Sequence, residues 1–337
     1  MIKKLTTKGK GIRNLNYNEA FSVQKKILNR SIPDIQLGYF LSVMKLKKTT
    51  EEEMKGFLDA LREETNFIET EISPLDLAVN YDGKNKTPHI LPSAIFIATG
   101  AGAKLVGHGA ENVPSRFGTT YQEVLKEMGC AVINDKERIL KALELSGFSF
   151  YHQKLLNPKL HSLLQKRKEL GLKSYINIVE KLINPFKTKK MIVGITHKNF
   201  IPKCLEIAHH VGFKSIYAVQ GLEGGIEPFI DKKTKVFSNK TFGINIIPKN
   251  KIPKTVLKNL KSPKENAKLC ISILKNEDNP LTHWALLTSS LLLVAYGITD
   301  DLKKAYDLSE ESLKMNIAYE KFIIYRNISN SRKIFIS

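Results

Sequence analysis

The chain has 337 residues, 42% of them hydrophobic, which is enough to bury the core of one large or two modest domains. Fifty-three Lys and Arg residues against 33 Asp and Glu residues give a formal net charge of +20, a balance that attracts polyanions. Three widely separated cysteines argue against a disulfide framework or a zinc site, and the longest apolar run, residues 285–298, is shorter than the about 20 residues that span a bilayer. We therefore expect a cytoplasmic globular protein without a membrane segment or a signal peptide.

The first part of the chain predicts helices. Apolar side chains recur at helical spacing over residues 17–30 and again over residues 35–46. A threonine at position 49 or 50, followed three residues later by a glutamate, is a capping box that starts a third helix. Residues 156–190 and the tail at 278–316 carry helical patterns as well.

Short apolar stretches alternate with helical ones in the rest of the chain. Residues 75–79 predict a strand, and residues 103–107 predict a second strand that delivers His108 to its carboxyl end. Residues 191–195 and 215–219 repeat this pattern with a helix between them. Such alternation is typical of a parallel α/β sheet, in which ligands usually bind at the carboxyl edge of the strands.

Residues 107–118 carry the most informative motif. Their sequence, Gly-His-Gly-Ala-Glu-Asn-Val-Pro-Ser-Arg-Phe-Gly, resembles the phosphoribosyl-binding loop Lys-His-Gly-Asn-Arg-Ser-Val-Ser-Ser-Lys-Ser-Gly of anthranilate phosphoribosyltransferases. The matching positions are His108, Gly109, Val113, Ser115 and Gly118, and Arg116 stands for a basic residue. Residues 32–38, 167–177 and 182–185 resemble further segments of that family in the same order, so the resemblance runs through most of the chain.

The resemblance implies an α/β fold with a small discontinuous α-helical domain plus a larger α/β domain that has a mostly parallel central sheet. The helical domain would comprise residues 1–72, completed by residues 156–190. The α/β domain would take the rest of residues 73–337. A homodimer is also implied.

The residues that hold the sugar donor in that family are exchanged here. Gly107 replaces a lysine, and Ala110-Glu111 replace an Asn-Arg pair. Tyr81 interrupts a loop that is glycine-rich in the family and whose amides cradle pyrophosphate. Ile226 stands at the first of two carboxylates that hold Mg²⁺ there. The resemblance therefore implies a lost or altered reaction.

Part of the family's pocket is still matched. The matching residues are Asp82, Gly83, His108, Gly109, Ser115, Arg116 and Arg167. By resemblance, the Arg167 guanidinium contacts the carboxylate of the aromatic acid in active members, and its planar fork suits a phosphate equally well. Only Glu223 and Glu227 remain as candidate metal ligands, so we expect no catalytic residue, no bound metal and no cofactor, with Mg²⁺ required only if the protein is an enzyme.

Two lysine-rich segments could bind a polyanion. Residues 231–264 contain ten lysines and one acidic residue, and prolines among them predict a looped cationic surface. A second cluster lies at residues 166–173. A solvated loop would explain the first segment equally well. The candidate nucleic-acid-binding residues are Lys166, Arg167, Lys168, Lys173, Lys232, Lys233, Lys235, Lys249, Lys251 and Lys254.

Two main functions follow as hypotheses. The first is a nucleic-acid-binding protein of the YbiB-like paralogue branch of the family, which would bind DNA or RNA through basic clefts largely without sequence specificity. The alternative is a phosphoribosyltransferase or related glycosyltransferase with an altered substrate. A scaffold that binds partners through its helical face is a third possibility.

Overall fold

The computed structural model describes residues 6–7, 11–79, 81–229, 231–239, 244–246 and 262–331. Two short strands near the amino end, Thr6–Thr7 (β1) and Gly11–Ile12 (β2), pair with each other in antiparallel fashion. The remaining elements form a helical part and an α/β part.

The helical part brings together two separate stretches of the chain. Its first stretch contains the helices Tyr17–Leu28, Asp34–Leu46 and Glu51–Glu63, and its second contains the helices Gln153–Leu156, Pro158–Ser162, Leu164–Leu170 and Ile176–Val179 and the 3₁₀ helix Glu180–Leu182. The ring of Tyr175, from the second stretch, stacks on Phe57 with centroids 4.0 Å apart, and its hydroxyl donates to Gln24 at 2.6 Å. These contacts make the helical domain discontinuous, as expected.

The predicted capping box begins the third helix. Thr50 is the N-cap residue: its side chain accepts a hydrogen bond from the Glu53 amide, and the Glu53 carboxylate accepts one from the Thr50 amide. The same carboxylate also accepts from the Leu15 amide at 2.7 Å and pairs with Lys47 at 2.6 Å. A local sequence signal therefore fixes both the start of a helix and the path of the preceding chain.

A seven-stranded sheet forms the centre of the α/β part. Its strands are Leu75–Ala78 (β3), Leu105–Gly109 (β4), Phe148–His152 (β5), Lys190–Gly194 (β6), Ser215–Val219 (β7), Thr234–Ser238 (β8) and Ile244–Ile246 (β9). They are ordered β5-β4-β3-β6-β7-β8-β9. The first five in this order are parallel, and β8 and β9 are antiparallel to their neighbours. The predicted fold class, with a mostly parallel sheet, is confirmed.

Strands β8 and β9 were not expected. The sequence predicts a looped surface from residue 231 onward, because lysines and prolines dominate its composition. Within β8, however, the buried Thr234 and Val236 alternate with the exposed Lys235, which is the pattern of a strand with one buried face. The prediction of a loop is therefore wrong for the described part of this segment.

Helices cover the sheet on its two faces. They are Leu91–Gly100, Tyr121–Glu127, Lys136–Ser146, Ile201–His210, Pro263–Leu274, Thr282–Tyr296, Leu302–Lys314 and Ile317–Asn330. Thr282–Tyr296, from the apolar run of the sequence, is buried along most of its length, and no helix of the described residues is long and apolar enough to cross a membrane.

The loops that follow β3, β4, β6 and β7 meet at the carboxyl edge of the parallel strands. Gly194, the last residue of β6, lies directly against the loop after β7. A Cβ atom at Gly194 would lie 2.1 Å from the carbonyl oxygen of Gly224, so only glycine permits this approach. The fold thus packs the segments matched by the family motifs against one another.

Candidate functional site

A buried ion pair joins the loop after β3 to the loop after β7. The Lys84 ammonium donates to the Glu227 carboxylate, and both side chains are buried, with 5% and 1% of their area exposed. The ammonium also lies 5.9 Å from the centroid of the Trp284 ring. The cavity beside this pair measures about 10 Å³, which is room for about one water molecule.

His89 lies next to this ion pair. Its Nδ1 atom is 3.8 Å from the Glu227 carboxylate, and its backbone amide donates to Asn266 at 2.6 Å. Burial, and secondarily the positive charge of Lys84, hold the pKa of His89 well below its usual range. His89 is therefore neutral at physiological pH, and Lys84 carries the positive charge that faces Glu227.

Backbone amides of the loop after β3 bind the Glu223 carboxylate, which belongs to the loop after β7. It accepts hydrogen bonds from the amides of Asn85 at 3.0 Å, Lys86 at 2.8 Å and Thr87 at 2.9 Å, and from the Thr87 hydroxyl at 2.9 Å. Burial by itself raises the pKa of the Glu223 carboxyl. The hydrogen bonds outweigh burial, however, and place this pKa below its usual range. Glu223 is therefore ionised at neutral pH.

Arg116 ties the same two loops together. Its guanidinium donates to the carbonyl oxygens of Gly83 at 2.9 Å and Glu223 at 3.0 Å. It also lies 3.9 Å from the Asp82 carboxylate, which pairs with Lys173 at 2.6 Å. The structure thus brings together Asp82, Gly83 and Arg116 of the predicted pocket, and the half-buried Ser115 adjoins them in sequence.

Arg167 is not available to a ligand in this structure. Its guanidinium is buried, with 3% of the side chain exposed, and donates two hydrogen bonds to the Glu180 carboxylate at 2.7 and 2.9 Å. Gln153 donates to the same carboxylate at 3.2 Å. An internal carboxylate occupies the guanidinium fork in this conformation, and binding of a ligand carboxylate or phosphate by Arg167 stays a prediction.

His108 and Gly109 lie inside the sheet rather than in an open pocket. His108 is fully buried: one ring nitrogen is hydrogen-bonded to the Tyr81 hydroxyl, and the other lies 3.1 Å from the Asp76 carboxylate. Tyr81 donates in turn to the carbonyl oxygen of Glu180 at 3.1 Å. Tyr81, which replaces a family glycine, lies against both residues in this conformation, and their place in a ligand pocket stays a prediction.

The neighbouring Gly107 is explained by packing. A Cβ atom at this position would lie 2.1 Å from the hydroxyl of the buried Tyr121. The space that the family's lysine would need is thus filled by an aromatic ring, so restoring the lysine alone would produce a clash.

The predicted basic residues divide into exposed and paired ones. Lys232, Lys233, Lys235 and Lys168 are exposed, while Lys166 pairs with Asp34 at 2.7 Å and with Glu169 at 3.3 Å. The Gln220 amide, just after β7, donates to the Lys235 carbonyl at 3.0 Å, so the start of β8 lies at the same edge of the sheet as the pocket loops. Lys249, Lys251 and Lys254 lie outside the described residues.

Comparison with known proteins identifies the scaffold. Residues 82–319 match the glycosyl transferase family a/b domain, and residues 1–65 match the helical bundle domain of the same family. The chain belongs to this glycosyl transferase family. A protein of Aquifex aeolicus described only as uncharacterized is 35% identical over 90% of this chain and 94% of its own length. The anthranilate phosphoribosyltransferase of the same organism is 26% identical over 98% of this chain and 99% of its own length.

Solved structures of this glycosyl transferase family share the fold. Anthranilate phosphoribosyltransferase from Thermus thermophilus superposes with a TM-score of 0.81 at 23% identity, covering 95% of this chain and 97% of that one. The enzyme from Saccharomyces cerevisiae in complex with PRPP and Mg gives a TM-score of 0.82 at 19% identity, covering 98% and 97%. At these identities the similarity establishes the fold alone.

The residues that the family resemblance places at the Mg²⁺ site are not arranged to hold a metal ion in this conformation. Ile226 is fully buried, Glu227 is paired with Lys84, and Glu223 is bound by loop amides. Mg²⁺ requires near-octahedral oxygen ligands and usually keeps several waters, which a cavity of about 10 Å³ cannot hold. Within the described part of the chain, no three His, Cys, Asp or Glu side chains are grouped so that they could hold a metal ion.

Two residues that decide the state of this site were missed at the sequence level. Lys84 directly follows the surviving Asp82-Gly83 pair. A lysine at the position of a former phosphate loop indicates that an internal carboxylate replaces the phosphate. Glu180 stands in the apolar stretch at 176–183, and a carboxylate in such a run needs a buried partner. Neither partner could be named without the fold.

Proposed function

We propose that this member of the glycosyl transferase family binds nucleic acid and does not transfer a phosphoribosyl group. One observation carries the loss of transfer: the chain's own side chains occupy two positions where the family resemblance places ligands. The Glu180 carboxylate accepts hydrogen bonds from the Arg167 guanidinium, where the acceptor carboxylate would bind. The Lys84 ammonium pairs with the Glu227 carboxylate, where a metal would bind.

Displacing these internal partners is costly. Separating a buried ion pair without replacing the lost partner costs about 3–5 kcal/mol. Since each 1.4 kcal/mol is tenfold in affinity, opening the Lys84–Glu227 pair would weaken binding of a donor by roughly 10²-fold to more than 10³-fold. The buried ion pairs therefore support loss of donor binding more directly than the sequence exchanges alone do.

The exposed lysines beside β8, at the carboxyl edge of the sheet, favour binding of a polyanion instead. Lys232 and Lys233 precede β8, and Lys235 lies on its exposed face. The ammonium of Lys232 lies 4.2 Å from the centroid of the Phe229 ring, which leaves the charge at the surface. With a net charge of +20, these lysines would contact phosphates largely irrespective of base sequence. The homodimer that the resemblance implies stays a prediction.

A pair of double variants tests this proposal. Lys232→Glu with Lys233→Glu changes the carboxyl edge, and Lys189→Glu with Lys214→Glu changes the amino edge of the same sheet, just before β6 and β7. All four lysines are exposed, and the two variants have equal net charge. Affinity for a fluorescent single-stranded oligonucleotide is measured for both at several salt concentrations.

If the lysines beside β8 form a dedicated binding surface, only the carboxyl-edge variant should lose much of its affinity for the oligonucleotide. Each lost phosphate contact also lowers the slope of log affinity against log salt by about 0.7 for a single strand. Equal affinities of the two variants would mean diffuse attraction to a basic protein, and the nucleic-acid function would then be abandoned.

Glycosyl transfer with an altered substrate is the second candidate function. It is favoured by the 26% identity to an anthranilate phosphoribosyltransferase over nearly the whole of both chains. Formation of phosphoribosyl anthranilate from PRPP, anthranilate and Mg²⁺ by the purified protein would show that transfer is retained and would overturn the first proposal. We expect no product above the uncatalysed rate.

A further inference from the structure

Three consecutive backbone amides converge on one point at the surface of the site. The N–H groups of Asn85, Lys86 and Thr87 all donate to the Glu223 carboxylate, and the Thr87 hydroxyl adds a fourth hydrogen bond. The Arg116 guanidinium lies 3.7 Å from the same carboxylate. Successive amides aimed at one point form a concave anion site, which suits a group with several oxygen atoms.

The carboxylate that fills this cradle belongs to a residue with a strained backbone conformation. Glu223 has a positive φ of 52°, a conformation that costs a non-glycine residue of order 1 kcal/mol. Gly221 and Gly225 on either side are closely packed, so the carboxylate would leave the cradle by rotation of the Glu223 side chain and not by movement of the loop. Asn85 and Lys86 are exposed, and an outside ligand can therefore reach the amides.

We propose that residues 85–87 and Arg116 form a phosphate site, that Glu223 occupies it in the resting protein, and that a phosphate group of a bound ligand displaces this carboxylate. A phosphate monoester offers three terminal oxygens and about −1.5 to −2 charges, against two oxygens and one charge for a carboxylate, so it gains more from the amides and from Arg116. The phosphate site itself is inferred from the hydrogen bonds of residues 85–87 to Glu223 and from the position of Arg116. Only the inference that its phosphate comes from nucleic acid rests on the proposed function.

Removing the internal carboxylate tests the site. Inorganic phosphate is titrated calorimetrically, at fixed ionic strength, into wild type, Glu223→Ala and the control Glu310→Ala. Glu310 pairs with Lys314 on an exposed helical surface, so the control makes the same change in net charge. We expect Glu223→Ala to bind phosphate about tenfold to a hundredfold more tightly than the other two proteins, because a charged competitor for the amides is gone.

A second substitution shows whether the phosphate binds in the cradle. Adding Arg116→Gln to Glu223→Ala should remove most of the gain. Equal phosphate affinity in Glu223→Ala and Glu310→Ala, or a gain that Arg116→Gln leaves intact, would overturn the proposal. If near-ultraviolet circular dichroism shows that Glu223→Ala is unfolded, Glu223→Gln replaces it, since the amide keeps the volume and one acceptor oxygen while removing the charge.

The source of the phosphate is distinguished with oligonucleotides. If a backbone phosphate enters the cradle, Glu223→Ala binds a single-stranded oligonucleotide more tightly than Glu310→Ala does, with or without a 5′-phosphate. If a terminal phosphate enters, only the 5′-phosphorylated oligonucleotide shows the difference. Should wild type bind no oligonucleotide while Glu223→Ala still gains inorganic phosphate, the nucleic-acid function fails and the phosphate site stands.

Discussion

Cationic side chains in the middle of the sheet's carboxyl edge are buried and paired, whereas those at its β8 end are exposed. In the middle, Lys84 and Arg167 are buried against Glu227 and Glu180. At the β8 end, Lys232 and Lys233 are exposed to solvent. Charges that are buried with a partner stabilise one arrangement of the loops, whereas exposed charges remain available to a ligand. A basic residue that matches an enzyme motif can therefore be structural, whereas the lysines of a surface segment outside the motifs stay accessible to solvent.

The largest effect is expected where a buried charge loses its partner. Lys84→Ala leaves the Glu227 carboxylate buried and unpaired, so the free energy of unfolding should fall by about 3–5 kcal/mol. Lys86→Ala, in the same loop but exposed, should change it by no more than about 0.5 kcal/mol. Urea unfolding measures both. Similar values for the two variants would show that the buried pair contributes little.

The second buried pair should show a smaller loss when only its charge is removed. Glu180→Gln keeps the size of the side chain and part of its hydrogen bonding to Arg167, so we expect a loss of about 1.5–3 kcal/mol in unfolding free energy. Glu169→Gln is the control, because Glu169 is exposed and its pair with Lys166 should contribute about 0–1 kcal/mol. A larger loss at Glu169 than at Glu180 would contradict the distinction between paired and exposed charges.

The amide cradle of Glu223 predicts a dependence of stability on pH. Its carboxyl pKa is lower in the folded protein than the ordinary value of 4.5. The stability that this shift contributes is therefore fully present above pH 4.5 and is lost as the pH falls through the lower folded value. The difference in unfolding free energy between wild type and Glu223→Gln should stay constant from neutral pH to about pH 5 and shrink in more acidic solution. A difference that grows on acidification would refute the hydrogen-bonded state of Glu223.

Much of the fold was predictable from the sequence because the signals are local. The capping box at Thr50 and Glu53 and the strand Leu105–Gly109, which contains His108, depend on spacing within a few residues. The state of the site was not predictable in the same way. Lys84 lies 143 positions from Glu227, so their pairing exists only once two loops meet at the sheet edge.

Arg167 shows the same limit at shorter range. Its matched position in the sequence predicts a guanidinium at the family's cleft, but in this structure Glu180, 13 residues later, binds that guanidinium in the interior. A family motif therefore predicts where a side chain lies better than it predicts what that side chain binds.

The smallest effect is expected from partial restoration of the family motif. Ile226→Asp together with Glu111→Arg returns two of the exchanged residue types, yet PRPP binding should rise by less than about twofold, because the internal ion pair still holds the site. Ile226 is fully buried, Glu111 is hydrogen-bonded to His152 at 2.9 Å, and the Lys84–Glu227 pair is unchanged by these substitutions. Calorimetric titration with PRPP and Mg²⁺ gives the comparison with wild type. A large increase would mean that the internal ion pair does not control the site.

The most direct measurement of the central claim is calorimetric titration of the wild-type protein with PRPP in the presence of Mg²⁺. If the chain's own side chains occupy the ligand positions, loss of about 3–5 kcal/mol moves an affinity of about 1 μM to about 0.1 mM or weaker. We therefore expect no saturable binding below about 0.1 mM. Saturable, Mg²⁺-dependent binding in the micromolar range would contradict the account, because it requires that Lys84 leave Glu227 at little cost.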